Sequence, residues 1–201
     1  GDTIVTPVFV ARPTFGDVTT ATTDATEQIA QLAARGIING YGDGTFGPND
    51  TTLRAQMAAL IVRAMRWSAL EATNPFSDQL GVDAELWQDI AILAGQGVAL
   101  GYGDGTYGTL DSVLRVQVVA FISRAMVARG YWTAQVASDT LYPNVAASTG
   151  HRGDLATYVA YAGPVAGTTN ATETFVDYDQ LATRAWFAVV LWRALTAYFG
   201  A

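Results

Sequence analysis

Hydrophobic residues recur at helical spacing in several segments of the chain, and glycine-rich segments separate them. Recurrence at i, i+3, i+4 and i+7 is typical of a helix with one buried face. Over residues 25–35 this pattern predicts a helix that is capped by Asp24 and stopped by Gly36, because such residues commonly mark helix ends. The predicted buried face of this helix consists of Ile29, Leu32 and Ala33.

The same periodicity predicts further helices. One lies between Asp83 and Gly97, with Ile90 and Leu93 facing inward. Others cover residues 53–66, 113–129 and 181–198, so the chain is predicted to be mainly helical. In residues 53–66 the predicted buried face consists of Met57, Leu60, Ile61 and Ala64.

Two segments of the chain repeat each other. Residues 36–47 read GIINGYGDGTFG and residues 97–108 read GVALGYGDGTYG, at an offset of 61 positions. Because this offset also aligns many residues outside the two segments, it indicates an internal repeat. The additional pairs are Phe15 with Phe76, Asp17 with Asp78, Arg54 with Arg115, Gln56 with Gln117, Arg63 with Arg124, and Met65 with Met126.

A third, more degenerate copy is predicted in the C-terminal part of the chain. Residues 142–145 align with residues 15–18, and residues 183–185 align with the helix start at Arg54. The Tyr-Gly-Asp-Gly-Thr-aromatic loop is absent from this copy, and residues 168–180 replace it.

The N-terminal residues 1–13 differ from the repeats, because they are apolar and β-branched with no partner strand evident in the chain. We expect an extended arm. One interpretation is a strap along the protein's own surface, and the other is an arm that docks on a neighbouring subunit. The residues that would make the subunit contact are Ile4, Val5, Val8, Phe9 and Val10.

Composition excludes several classes of function. All 11 basic residues are arginines, and with 18 acids the net charge is −7, which disfavours a nucleic-acid-binding face. The absence of cysteine excludes thiolate catalysis and cysteine metal sites, and the lone His151 excludes a histidine cluster. No apolar run approaches the ~18 residues of a membrane-spanning helix. We therefore predict no cofactor, no bound metal and no membrane span.

The order of these motifs resembles the S-layer homology domain. Phe15 and Asp17 precede a helix, residues 36–49 carry the glycine loop, and Arg54-Ala55 open the next helix. The resemblance covers residues 14–195 as three consecutive copies. It implies three helix-loop-helix repeats in a pseudo-threefold prism whose second helices pack centrally. The predicted units are the arm 1–13, repeat one 14–66, repeat two 67–129 and repeat three 130–201.

The resemblance also implies a role, because such domains hold proteins on the bacterial cell envelope by binding cell-wall polysaccharide, often acidic or pyruvylated, and are not enzymes. The family's usual helix start, Thr-Arg-Ala-Glu, has the form of a capping box. This chain has LRAQ at residues 53–56, LRVQ at residues 114–117 and TRAW at residues 183–186, so no copy keeps the whole motif.

Arg54, Arg115 and Arg184 are candidate ligand-binding residues at the three equivalent helix starts. Free N–H groups at a helix N-terminus together with a guanidinium suit a carboxylate or phosphate. The alternative is that each arginine pairs with an acid of the adjacent repeat, such as Asp17 or Asp78.

The glycine loops carry further candidates. Asp43 and Asp104 could contact a polysaccharide or calcium, although forming the turn is the better interpretation of an Asp between two glycines. Tyr41 and Tyr102, with the aromatic residues at 46 and 107, could stack on sugar rings or anchor the loops to the helices.

Two functional hypotheses follow for an extracellular protein of the bacterial cell surface that is not an enzyme. The first is a structural subunit that assembles with copies of itself into a surface layer, sheath or filament. The alternative is an anchoring module that binds acidic cell-wall polysaccharide in grooves between repeats. The chain begins Gly1-Asp2-Thr3, so we expect either a mature form after signal-peptide removal or a piece of a longer protein.

Overall fold

The structure, a computed structural model, describes residues 13–68, 72–136, 145, 150–163 and 177–200. Within these residues the protein is mainly helical, as predicted, and the only β-structure among them consists of isolated β-bridges. The residues of the predicted arm that carry its apolar character lie outside the described residues, as do residues 164–176. The helices are α1 Thr26–Ala34, α2 Arg54–Met65, α3 Ala84–Gly95, α4 Arg115–Ala128, α5 His151–Ala162 and α6 Arg184–Phe199.

Of the predicted helix signals, the Asp83 cap of α3 and the Gly36 stop after α1 were correct, and the Asp24 cap of α1 was wrong. Asp83 caps α3, because its carboxylate accepts a hydrogen bond from the Leu86 N–H at 2.8 Å. Asp24 does not cap α1, which begins at Thr26. The hydroxyl of Thr23 instead accepts from the Ala25 N–H at 3.0 Å, so another side chain satisfies the backbone before α1.

The predicted buried faces are confirmed in α1 and α3, where Ile29, Leu32, Ile90 and Leu93 are completely buried. In α2, Met57 and Ile61 are buried, whereas Leu60 and Ala64 are only partly buried. The difference arises because α2 packs against both α3 and α4, so the side of the helix that faces them is the buried one. That face includes Met57, Ala58, Ile61, Val62 and Met65.

The helices pack mainly between different predicted repeats. Helix α3 packs on α2, α5 packs on α4, and α1 packs on α6, while α4 contacts both α2 and α6. Each first helix of a predicted repeat therefore lies against the second helix of another repeat. The second helices supply much of the buried apolar core.

The three segments that precede α2, α4 and α6 join in a closed ring of hydrogen bonds, which we call the junction (residues 51–53, 112–114 and 181–183). Thr52 N–H donates to Ala182 O at 2.9 Å, and Ala182 N–H donates to Val113 O at 2.9 Å. Val113 N–H closes the ring by donating to Thr52 O at 3.0 Å. The junction therefore places the starts of the three helices, and the arginines that open them, around one centre.

Candidate functional site

The first N–H groups of α2, α4 and α6 donate hydrogen bonds to carbonyl groups of other predicted repeats. The Arg54 N–H donates to Asp111 O at 2.9 Å, and the Arg115 N–H donates to Gln180 O at 2.9 Å. The Arg184 N–H donates to Asp50 O at 2.9 Å. Because neighbouring backbone uses these donors, they are not available to an anionic ligand in the way that a free helix N-terminus is.

Side chains still cap α2, α4 and α6, because each of the three helix starts keeps one half of a capping box. The side-chain Oε1 of Gln56 accepts from the Leu53 N–H at 3.2 Å, and the Oε1 of Gln117 accepts from the Leu114 N–H at 3.0 Å. In α6 the other half is kept, since the Thr183 hydroxyl accepts from Trp186 N–H at 3.2 Å.

The Arg54 side chain is buried in an aromatic pocket of repeat two. Its Nε donates to the Tyr107 carbonyl at 2.8 Å. Its guanidinium carbon lies 4.7 Å from the centre of the Tyr107 ring and 4.8 Å from that of Tyr102. Only 3% of the residue is exposed, so this arginine chiefly joins α2 to the glycine loop at residues 101–108 through backbone and ring contacts.

Arg184 repeats this arrangement against repeat one. Its Nε donates to the Phe46 carbonyl at 2.7 Å, and its Nη2 donates to Asn39 O at 3.2 Å. The guanidinium lies over the rings of Tyr41 and Phe46, at 4.6 and 4.5 Å from their centres. Burial lowers the pKa of Arg184 from its usual value.

Arg115 differs from the other two arginines because the predicted repeat three (residues 130–201) lacks the glycine loop. Its guanidinium lies 3.7 Å from the Asp177 carboxylate and 5.3 Å from the centre of the Trp186 ring. Its Nε is buried and has no hydrogen-bond partner within the described part of the chain. Neither Asp177 nor Trp186 was predicted from the sequence, because no aligned residue in the other repeats has the same contact.

The predicted alternative partners of the arginines, Asp17 and Asp78, bind backbone instead. Asp17 accepts from the N–H groups of Phe46 and Gly47 at 2.8 and 2.7 Å. Asp78 accepts from the equivalent groups of repeat two. Burial alone would raise the pKa of Asp17, but these two donors outweigh it and hold the pKa below its usual value.

The loop tyrosines are held by acids that sequence reasoning missed. Tyr41 donates to Asp50 at 2.8 Å, and Tyr102 donates to Asp111 at 2.7 Å. Partial burial, and then this donation, raises the pKa of both tyrosines. The offset of 61 relates Asp50 to Asp111 and could have identified the pair. About half of each tyrosine is exposed, so these rings present an accessible surface above the buried arginines.

Asp43 and Asp104 form the turns of the glycine loops. Asp43 accepts from the Thr45 N–H at 2.8 Å and from its hydroxyl at 2.6 Å, and Asp104 binds Thr106 in the same way. Donation from the Thr45 side chain and then its backbone lowers the pKa of Asp43. Phe46 and Tyr107 are buried and anchor the loops.

No group of three or more potential metal ligands occurs among the residues that the structure describes. Across the same residues, no helix has the length and apolar character needed to cross a membrane.

Comparison with known proteins identifies one domain in the chain. Residues 14–58 match the S-layer homology domain. The chain is 26% identical over 135 residues to the middle cell wall protein of Brevibacillus brevis, a match that spans 62% of this chain. It is 29% identical over 128 residues, 59% of this chain, to the surface layer protein of Brevibacillus choshinensis. It is 30% identical over 104 residues, 46% of this chain, to cell surface glycoprotein 1 of Acetivibrio thermocellus. These matches span 12%, 11% and 4% of the three relatives' own lengths, so the chain corresponds to a small part of each.

Proposed function

We propose that this chain is a non-enzymatic, extracellular structural protein of the bacterial cell surface that assembles with copies of itself. The S-layer homology match and the names of the three relatives support the location. The closed hydrogen-bond ring of the junction supports a pseudo-threefold prism made of repeats 14–66, 67–129 and 130–201.

A set of exposed leucines in repeat two carries the proposal of self-assembly. At three positions related by the offset of 61, repeat one has an exposed polar residue and repeat two has leucine. Because repeat one folds with polar residues there, exposed leucines at these positions support an apolar contact with another molecule. The pairs are Thr19 with Leu80, Asn39 with Leu100, and Asn49 with Leu110. The leucines are 81%, 70% and 50% exposed, respectively.

The electrostatics around the arginines also favour a structural role for them. Asp78, Asp104 and Asp111 belong to the same loop region as the Arg54 pocket. The three acids give this loop region a locally negative surface, which repels an acidic polymer. Arg54 and Arg184 are therefore better suited to joining repeats than to holding an acidic ligand.

The test is sedimentation and electron microscopy of the purified chain without wall material. We expect ordered assemblies from the native sequence and monomers from the triple variant Leu80→Thr, Leu100→Asn and Leu110→Asn, which copies repeat one. Val136→Thr is the control, because Val136 is also exposed but has no part in the leucine set. A native chain that stays monomeric at high concentration would reject the proposal.

Polysaccharide anchoring is the second candidate, and the Arg115 environment favours it. The Arg115 side chain keeps 20% of its surface exposed beside an indole ring, and a guanidinium in this position is suited to a carboxylate on a sugar. If anchoring is the function, binding to isolated cell wall weakens with salt and is lost in Arg115→Gln. Wall binding that is unchanged in this variant would reject a role for Arg115.

A further inference from the structure

Two exposed leucines form one apolar surface beside the glycine loop at residues 101–108, and we call it the leucine patch (Leu80 and Leu110). The Leu110 side chain covers Gly81, since a Cβ on Gly81 would lie 2.7 Å from Leu110 Cδ1. The Thr109 hydroxyl donates to the Leu80 carbonyl at 3.1 Å, which holds the chain at Leu80 against the loop. The two leucines are therefore neighbours, and they are 81% and 50% exposed.

Acids surround the leucine patch. Asp111 directly follows the second leucine and is exposed, as is Asp104 at the tip of the loop. The Asp78 carboxylate also lies beside the patch, because it accepts from the Thr109 N–H at 3.2 Å. The nearby Arg54 is only 3% exposed, so it presents little positive charge on this surface. Two copies that brought their leucine patches together would therefore face each other with like charges, which is costly.

A second exposed apolar surface lies where α4 and α6 end, and we call it the aromatic patch (Arg66, Arg129, Tyr131, Tyr198 and Phe199). The Tyr131 ring centre lies 4.1 Å from that of Tyr198 and 5.3 Å from that of Phe199. The Arg129 guanidinium lies 5.9 Å from the centre of the Tyr131 ring. Tyr198 is 46% exposed and Phe199 is 61% exposed, so both rings are accessible to another molecule.

The aromatic patch is locally positive. Arg66 and Arg129 are exposed, and neither forms an ion pair with another described residue. Glu85 is already paired with Arg63 in the last turn of α2, at 3.0 Å. Cations that follow a helix complement its dipole, which accounts for the arginines but not for the exposed rings beside them. The patch therefore suits a partner surface that is apolar at its centre and acidic around it.

The two patches lie at opposite ends of the second helices. Arg66, Tyr131 and Phe199 line one cavity of about 450 Å³, so the ends of α2, α4 and α6 meet at the aromatic patch. Asp111 precedes the start of α4 and Arg129 follows its end, so the length of α4, about 21 Å, separates the patches. Each copy therefore presents a different patch at each end.

We propose that the leucine patch of one copy docks on the aromatic patch of the next copy, so that copies join head to tail. This pairing places leucines against aromatic rings and acids against arginines, whereas either patch paired with itself brings like charges together. Arginine and aromatic residues are also the types in which interface cores are enriched. Because the contact joins two different surfaces, it leaves one patch free at each end and produces an open chain. The inference rests on the proposed function, self-assembly.

The test uses two variants of the full chain, each of which disables one patch. Leu80→Thr with Leu110→Asn changes the leucine patch, and Arg129→Glu with Phe199→Asn changes the aromatic patch. All four residues are exposed, so we expect native helical circular dichroism from both variants. In sedimentation, each variant alone should need at least about tenfold more protein than the native chain to assemble. Val136→Thr, at an exposed position outside both patches, should assemble like the native chain.

An equimolar mixture of the two variants should form one-to-one dimers, because it keeps one intact leucine patch and one intact aromatic patch. If either variant does not fold, the single changes Leu110→Asn and Arg66→Glu replace the pairs. Chains or dimers formed by either variant alone, or a mixture that stays monomeric, would overturn the head-to-tail contact. If the native chain assembles in those cases, the proposed self-assembly stands without this contact, whereas a monomeric native chain rejects both.

Discussion

Arg54 and Tyr107 bind each other reciprocally across two predicted repeats. The Arg54 Nε donates to the Tyr107 carbonyl at 2.8 Å, and the Tyr107 hydroxyl donates to the Arg54 carbonyl at 3.0 Å. Both residues are buried, so water cannot replace either hydrogen bond without local opening. This exchange links the start of α2 to the glycine loop of repeat two.

Tyr107→Phe should lower the free energy of unfolding by about 1–2 kcal/mol, because it leaves the buried Arg54 carbonyl without this donor. Urea denaturation measures the change. Tyr102→Phe is the matched control, because the Tyr102 hydroxyl bonds an exposed carboxylate and its loss should cost less. An equal loss of unfolding free energy in the two variants would show that the buried hydrogen bond from Tyr107 to the Arg54 carbonyl contributes no more than the exposed one.

Gly47→Ala should be more destabilising than Gly42→Ala, although both glycines have positive φ, 69° and 86°. At Gly42 a Cβ meets no atom within 4 Å, so only the backbone penalty of roughly 1–2 kcal/mol applies. At Gly47 a Cβ would overlap Asp50 and Tyr41, which form the loop hydrogen bond. Thermal denaturation of the two variants separates the steric cost at Gly47 from the backbone cost that both positions share. A Gly47→Ala protein as stable as Gly42→Ala would show that the loop moves to accommodate the methyl group.

Asp89 makes stability depend on pH. Burial raises its pKa from 3.8 to about 6, and its Oδ2 has no hydrogen-bond partner among the described residues. Arg63 favours the charged form of Asp89, whereas Glu85 and Asp83 oppose it. Because the folded state binds the proton more tightly than the unfolded state, the contribution of Asp89 to stability is greatest below pH 4. It falls as pH rises to about 6.

Asp89→Asn should therefore be more stable than the native chain at pH 7, by at most about 3 kcal/mol, and the difference should vanish near pH 4. Urea denaturation of both proteins across this range measures the difference directly, so that effects of the other acids cancel. A constant difference between the two proteins would show that Asp89 does not titrate in this way.

Deletion of residues 1–12 tests the proposed N-terminal arm. If the arm joins subunits, the truncated chain should keep its helical circular dichroism and sediment as a monomer. The apolar residues Ile4, Val5, Val8, Phe9 and Val10 would make that contact. Filaments or sheets formed by the truncated chain would reject the arm hypothesis and leave the exposed leucines of repeat two as the contact.

The sequence by itself determined the helices and much of their burial. Helix ends and buried faces depend on residues three or four positions apart, so Asp83, Ile29 and Ile90 were predicted correctly from local spacing. The repeat offset also identified Arg54 and Arg115 as equivalent residues. Only the tertiary structure decided what the arginines contact, because the partner of Arg54 lies 53 residues away and the partner of Arg184 lies 138 residues away. It likewise brought together Arg35 after α1, Arg66 after α2 and Trp192 in the middle of α6. Such contacts follow from how the helices close around the junction, and the spacing along one helix carries no information about that closure.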